Sequence, residues 1–230
     1  MSIEYVEVAR AESERGEVVL RERRDPDRGA NAPGVLELRV NGAFVMDTLE
    51  TSSEQAIAAT ALEHVECPRA VVVGGLGLGF TMHEVLADQR VEKLFVVEVE
   101  EALVRWMRDG TVPHGPAYLA DERLTVVGAD IRIAMAEATP AAYDLILLDV
   151  DNGPGYVVYE ENAPLYERDF LMQARASLRP SGALAIWSAS ESPDLREAMG
   201  EVFGNVAAIP CAVTLQGREE QYWIYLARNS

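Results

Sequence analysis

An apolar run, Val71-Val72-Val73-Gly74, empties directly into a glycine-rich bend, Gly75-Leu76-Gly77-Leu78-Gly79, and a second apolar run, Phe95-Val96-Val97-Glu98, ends in a carboxylate. No other stretch constrains the fold as much. A buried strand, a turn whose backbone can approach a ligand, a helix and a neighbouring strand tipped by an acid make the opening unit of a doubly wound α/β sheet. Glycine permits positive φ and presents no Cβ to a bound group. The acid at the next strand tip accepts hydrogen bonds from ribose hydroxyls. A dinucleotide fingerprint would place its third small residue where Phe80 stands. The pattern therefore points to a nucleoside without a pyrophosphate, such as S-adenosylmethionine, ahead of NAD.

From residue 51 onward, strand-like and helix-like segments alternate, which predicts a parallel sheet with right-handed crossovers. Strands are expected at 70–74, 94–98, 124–127, 145–149 and 183–187, and helices at 80–88, 100–108, 131–137, 167–178 and 193–203. A closing pair at 206–210 and 221–227 completes seven strands, the last reversed. Thr51-Ser52-Ser53 before Glu54-Gln55 reads as a helix start. Residues 1–50 read differently. Two β-like runs, 17–23 and 35–40, are separated by a polar loop, and Asn41-Gly42 is a strong hairpin signal returning through Ala43-Phe44-Val45-Met46-Asp47. The expected organisation is a small antiparallel appendage over 1–50 and a nucleoside-binding domain over 51–230.

At 230 residues the chain can bury a full core, and its net charge of −18 disfavours a nucleic-acid partner. An acidic cleft suits a cationic small molecule, although such a charge serves solubility first. The apolar runs are strand-sized, so no membrane span is expected, and the residues from Met1 to Tyr5 do not resemble a signal peptide. Cys67 and Cys211 lack metal or redox spacing, consistent with a reduced, cytoplasmic setting. Phe44, Val45 and Met46 would either support a homodimer or cover the main domain.

If the sheet forms as expected, four groups converge at the carboxyl ends of its strands. Gly75, Gly77 and Gly79 follow the first strand, and Glu98, with Val99 beside it, ends the second. Asp130 and Ile131 follow the third, and Asp149 ends the fourth. Asp130 suits either an adenine amino group or the N-cap of the next helix. Asp149 follows four apolar residues, so a buried strand delivers a charge to its tip, where burial can raise its pKa toward that of a general base. Asp151 and Asn152 lie in an Asp-Asn-Gly-Pro turn and, with Tyr166, are secondary candidates for substrate contact. Tyr156, Tyr159, Trp187 and Trp223 read as core or loop anchors. His83 reads as a packing or surface residue, while His114, in a long loop, could reach the site; neither has metal-ligand spacing.

From about Val35 to Ala227 the chain resembles the spermidine synthase (polyamine aminopropyltransferase) family. The resemblance rests on Val72-Val73-Gly74-Gly75, on Val91 to Glu100, on Tyr143-Asp144-Leu145-Ile146-Leu147-Leu148-Asp149, on Leu165-Tyr166-Glu167-Arg168-Asp169-Phe170 and on Leu178-Arg179-Pro180-Ser181-Gly182. It implies a seven-stranded, Rossmann-like, methyltransferase-type sheet behind an N-terminal β appendage. It also implies that Glu98 holds the ribose, that Asp130 holds the adenine and that Asp149 takes the proton of an attacking amine. The co-substrate would be S-adenosylmethionine or its decarboxylated form, and the acceptor a small amine. Gly77 stands where the family carries an aspartate facing the amino end of the decarboxylated co-substrate. Asp149-Val150-Asp151-Asn152-Gly153 stands where it carries Asp-Ser-Ser-Asp-Pro, and Ser52, Ser53 and Glu54 occupy the neighbourhood of an expected tyrosine. Aminopropyl transfer is the leading expectation, with methyl transfer to a small molecule and nucleoside binding without catalysis as alternatives.

Overall fold

A computed structural model describes residues 2–29, 32–150, 152–155 and 159–230. The appendage is a four-stranded antiparallel sheet in the order β1 (Glu4–Ser13), β2 (Gly16–Arg24), β3 (Val35–Val40), β4 (Ala43–Asp47). The sequence pattern predicts three of these strands; β1 is a correction. Its register shifts between Glu7 and Ala9, so the half-buried positions run Val6, then Ala9 and Ala11, and the alternation that marks a strand is broken by a bulge. Asn41 and Gly42 take φ of 50° and 77°, as a tight primed hairpin turn requires.

The main sheet has seven strands in the order β10-β11-β9-β8-β5-β6-β7. Five of them, β5 (Ala70–Gly74), β6 (Lys93–Glu98), the edge strand β7 (Leu124–Gly128), β8 (Tyr143–Leu148) and β9 (Leu178–Ser188), are all parallel where they pair. β11 (Arg218–Arg228) runs antiparallel to β9 and to β10 (Ala207–Leu215). This closing hairpin is longer than the sequence predicts, because the outer half of β11, Arg218-Glu219-Glu220-Gln221, is polar and exposed, and Pro210 is tolerated on the edge strand. β9 likewise begins five residues before its apolar run, at Leu178, directly after the preceding helix.

Period-two alternation assigns the core to two faces. Val71, Val73, Leu145 and Leu147 point into one cluster, which they share with α1 (Ser52–Glu63), α2 (Phe80–Ala87) and α3 (Glu101–Asp109). Val72, Ile146 and Leu148 point into the other, under α5 (Ile131–Ala136), α6 (Arg168–Ser177) and α7 (Pro193–Phe203). The long connection before β7 contains a short helix, α4 (Gly115–Tyr118), where the sequence pattern shows only a loop. No helix among the described residues is long and apolar enough to cross a membrane.

The appendage is not a separate body. Val18, Leu20, Leu38, Val40 and Met46 belong to the same buried cluster as the main sheet. Its own strands are tied by a buried ion network: Glu37, fully buried, meets Arg21 at 2.7 Å and Arg23 at 3.0 Å, and Arg23 also reaches Asp47 at 3.4 Å. Asp47 accepts the N–H groups of Leu49 (2.8 Å) and Glu50 (2.9 Å), which fixes how the chain leaves the appendage and enters α1. Removing one member of a buried ion pair strands the other charge. Glu37→Ala is therefore expected to lower the free energy of unfolding by about 3–5 kcal/mol, read from the urea midpoint. A loss under about 1 kcal/mol would show that the network does not hold the appendage together.

Candidate active site

Three backbone hydrogen bonds extend the parallel ladders just past the strands. Gly75 N–H reaches the Val97 carbonyl at 2.9 Å, Asp149 N–H reaches Gly74 at 2.9 Å, and Ala129 N–H reaches Glu98 at 3.1 Å. The segments after β5, β6, β7 and β8 are thereby aligned along one sheet end, where open α/β folds bind ligands. A cleft lies there, roofed by the appendage, with an empty volume of about 1090 Å³ including its open mouth. Gly75, Gly77, Glu98, Val99, Asp130, Ile131, Asp149 and Asn152 all line it.

Gly75 has φ +91°, and a Cβ there would lie 2.0 Å from the Asp149 carbonyl oxygen, so only glycine lets the turn lie against the β8 end. The Glu98 carboxylate is buried and accepts two backbone N–H groups, from Leu76 at 2.8 Å and Glu100 at 2.7 Å. Burial raises its pKa, opposed by these two donors. Each carboxylate oxygen keeps a lone pair, and Glu98 lines the cleft, so the fit to a ribose diol is good. Val99, exposed beside it, offers an apolar surface to a base.

Asp130 is the N-cap of α5, accepting Arg132 N–H at 2.8 Å. Its carboxylate is also paired with the Arg132 side chain at 2.5 Å and with Arg15 of the β1–β2 turn at 3.6 Å. Burial works to raise its pKa, but the two arginines outweigh it and the net shift is downward. Arg15 is held in place from the appendage: Asn41 donates to the Arg15 carbonyl at 3.1 Å, and its guanidinium lies 5.9 Å from the centre of the Tyr159 ring. Ser13 donates to Glu100 at 3.1 Å, so the same turn closes over the Glu98 end of the cleft.

At the other end stands an acid pair. Asp149 follows β8 directly, one residue beyond the strand in which the sequence pattern places it. Thr81 of α2 donates to Asp149 at 2.5 Å, and the same hydroxyl lies 3.1 Å from the backbone carbonyl of Glu54. Glu54, in the first turn of α1, is 9% exposed, and its carboxylate accepts from Ser53 at 2.7 Å. Burial raises both carboxyls. That of Asp149 is held back in part by the Thr81 hydroxyl, and that of Glu54 is pushed further by the Asp149 charge, to about 7. The Tyr222 phenol is pushed up to about 12 by burial and then by Glu54. Trp187, also lining the cleft, is buried against Tyr222 with ring centres 4.9 Å apart, and its indole N–H has no acceptor among the described residues.

Several sequence candidates lie elsewhere. Gly79 starts α2 with φ +88° and faces Met107, Met82 and Tyr118, so it is a packing glycine outside the cleft. Tyr166 is buried in the core with Leu165 and Phe170, not in the cleft. His114 donates from Nε2 to the Leu78 carbonyl at 2.8 Å and props the glycine turn from behind. His83 stacks on Tyr118 at 3.9 Å. Val45 and Met46 face the cleft, which gives them a covering role. Asp151 and Tyr156 lie outside the described residues. Conversely, Glu54, Thr81, Arg15, Met46 and Trp187 line the cleft without having been singled out as ligand contacts. Glu54 has the only local signal, and a charged residue in a first helical turn is ordinary dipole complementation.

The family model for the spermine/spermidine synthase domain matches residues 50–206. Polyamine aminopropyltransferase 2 of Pseudomonas aeruginosa is 31% identical over 137 residues, covering 58% of this chain and 37% of its own length. Polyamine aminopropyltransferase 2 of Hyperthermus butylicus is 32% identical over 148 residues, covering 62% of this chain and 45% of its own. Putrescine N-methyltransferase 3 of Nicotiana tabacum is 28% identical over 151 residues, covering 66% and 36%. The matched stretch thus spans between a third and a half of the length of these curated relatives. Among solved structures, a spermidine synthase in complex with the transition state analogue AdoDATO aligns with TM-score 0.80 at 15% identity, covering 97% of this chain and 74% of that one. The Thermotoga maritima spermidine synthase aligns with TM-score 0.78 at 15% identity, covering 97% and 73%. These alignments show a common fold.

The raised Glu54 carboxyl has a consequence for stability. A carboxyl that holds its proton more tightly when folded stabilises the fold below its unfolded pKa, and that contribution is lost as pH rises through the folded value. Glu54→Gln is expected to match the parent protein below about pH 4.5 and to exceed it above pH 7 by on the order of 2 kcal/mol, measured from paired melts. A variant less stable than its parent at pH 8 would show that Glu54 is not a strained acid.

Proposed function

The chain belongs to the spermine/spermidine synthase domain family, and from that premise we propose that it transfers an aminopropyl group from decarboxylated S-adenosylmethionine to a small amine. One observation carries the reading. A single cleft at the carboxyl end of the sheet is lined at one end by Glu98 and the Gly75–Gly77 turn, and at the other by the buried Asp149–Glu54 pair. The first end suits adenosine, and the second suits a cation.

Glu98 and the turn would hold the ribose, Val99 and Ile131 would flank the base, and Asp130 would meet its amino group while staying capped on α5. A bound sulfonium supplies an electrophilic carbon with a neutral thioether as leaving group. The residues of the chain do the rest. Asp149 orients the incoming ammonium and accepts its proton, freeing the nitrogen lone pair for in-line attack. Burial and the Thr81 hydrogen bond set the basicity of Asp149 and fix its rotamer.

A second reading, methyl transfer from S-adenosylmethionine, has a specific observation in its favour. Gly77 contributes no acid to the tail of the co-substrate. A Cβ there would lie 2.7 Å from the Met46 sulfur, which itself accepts Leu78 N–H at 3.3 Å, so an apolar plug fills the place of a side chain. The putrescine N-methyltransferase relatives point the same way.

Product analysis separates the two. With the preferred sulfonium and an amine panel, aminopropyl transfer releases methylthioadenosine and methyl transfer releases adenosylhomocysteine. Methylthioadenosine that depends on the amine is expected; adenosylhomocysteine would establish the second reading. In the same assay, Asp149→Asn should lower kcat by about 10²–10⁴-fold while leaving methylthioadenosine affinity within a few fold. Glu98→Ala should weaken methylthioadenosine binding by about tenfold or more, as loss of a buried charge-assisted acceptor does. Full turnover in Asp149→Asn would remove that residue from the chemistry.

A further inference from the structure

We infer that Glu54 is a second acceptor-binding acid, which together with Asp149 receives an aliphatic amine in its ammonium form. The inference rests on the reading of the cleft as a transferase site and names what its acidic end takes.

Glu54 and Asp149 enter the cleft from different elements, the first turn of α1 and the end of β8, and the Thr81 hydroxyl touches both, one through its backbone carbonyl and one through its carboxylate. Ser53 supplies one donor to Glu54, which leaves a buried carboxylate with acceptor capacity facing the cavity. The groups acting on it are Asp149 from β8 and Glu50 from the approach to α1. Cys211 of β10 and Tyr222 of β11 feel its charge in turn, and Asp47 at the end of β4 adds to the field on Tyr222. All of these are acids or neutral. Among the described residues the only cation lining the cleft is Arg15, which is ion-paired with Asp130 at the opposite end. A buried acid pair without a protein counter-ion is costly unless it holds a proton or a cation.

The pair therefore alternates between two states. With no cation bound, the pair retains part of a proton near neutral pH, because burial raises both carboxyls and the Asp149 charge pushes that of Glu54 further, to about 7. When an alkylammonium enters, its charge replaces that proton, which leaves to solvent. Both carboxylates are then ionised around the substrate, and Asp149 is in the basic form the reaction needs. Glu54 acts on the chemistry through Asp149 and the ammonium, so it is a positioning residue. The apolar wall that the appendage adds, including Val40, Val45 and Met46, gives the carbon chain of the amine a surface to lie on.

Calorimetric titration of the full chain with propylamine, butylamine, putrescine and cadaverine, in the presence of saturating methylthioadenosine, tests this. Runs in two buffers of different ionisation enthalpy count protons. The expected result is release of a fraction of a proton per amine at pH 7, with affinity falling up to tenfold per pH unit below pH 7 and level above it. Glu54→Gln should bind amines about tenfold more weakly at pH 8, lose most of the proton release and flatten the pH profile, with methylthioadenosine affinity within twofold of the parent. Glu54→Asp should recover part of the affinity and the slope. In turnover, Glu54→Gln should raise the KM for the amine more than it lowers kcat. If the parent binds methylthioadenosine and amine but Glu54→Gln keeps the parent's affinity and pH profile, this inference falls and the transferase reading stands. If the parent binds no methylthioadenosine, or none of the amines, both fall.

Discussion

The Glu98 carboxylate joins three pieces of chain that would otherwise be independent. It ends β6, it takes the Leu76 N–H of the turn after β5, and it takes the Glu100 N–H that leads into α3. A buried carboxylate held this way is costly to desolvate and correspondingly hard to displace, so the turn, the strand tip and the helix start share one geometry. The close approach of Gly75 to the Asp149 backbone extends the same constraint to β8. What results is a row of acids at fixed spacing across a sheet end, each with a different electrostatic fate. Glu98 is held by two backbone donors with a lone pair left on each oxygen, Asp130 is neutralised by arginines, and Asp149 with Glu54 has no cation beside it among the described residues.

The appendage completes this site instead of decorating it. Its hydrophobic face is continuous with the main core, and its β1–β2 turn brings Arg15 and Ser13 against Asp130 and Glu100. Met46, from β4, fills the hollow against Gly77. The same ion network that binds the strands to one another passes through Asp47 to the start of α1, and so sets where Glu54 points. Stability and specificity share residues here, and the raised carboxyl of Glu54 is the clearest instance of stability yielded at a site that needs a charge.

Much of this was legible in the sequence, for identifiable reasons. The β5–turn–α2–β6 unit was readable because apolar runs, glycines and a terminal acid are local signals, and Glu98 and Asp149 followed from them. β1 was hidden by its bulge and by its exposure, since none of its residues is fully buried. The closing hairpin was foreshortened because its outer half buries only Val213, too little for an alternation to show, and the outer half of β11 is polar and exposed. Gly79 and Tyr166 carried signals that belong to packing, which a motif cannot distinguish from binding. Glu54 was invisible as a site residue because its meaning depends on Asp149, far away in sequence and brought beside it only by the packing of α1 across β8 and β9 and against α2.

The central claim is that adenosine lies across the ends of β5, β6 and β7 with its 5′ substituent directed at the Asp149–Glu54 pair. A crystal structure of the full chain with methylthioadenosine tests it most directly. Both ribose hydroxyls are expected on Glu98, the base between Val99 and Ile131, and the sulfur on the side of Asp149. Methylthioadenosine bound outside this cleft, or with its ribose away from Glu98, would contradict it.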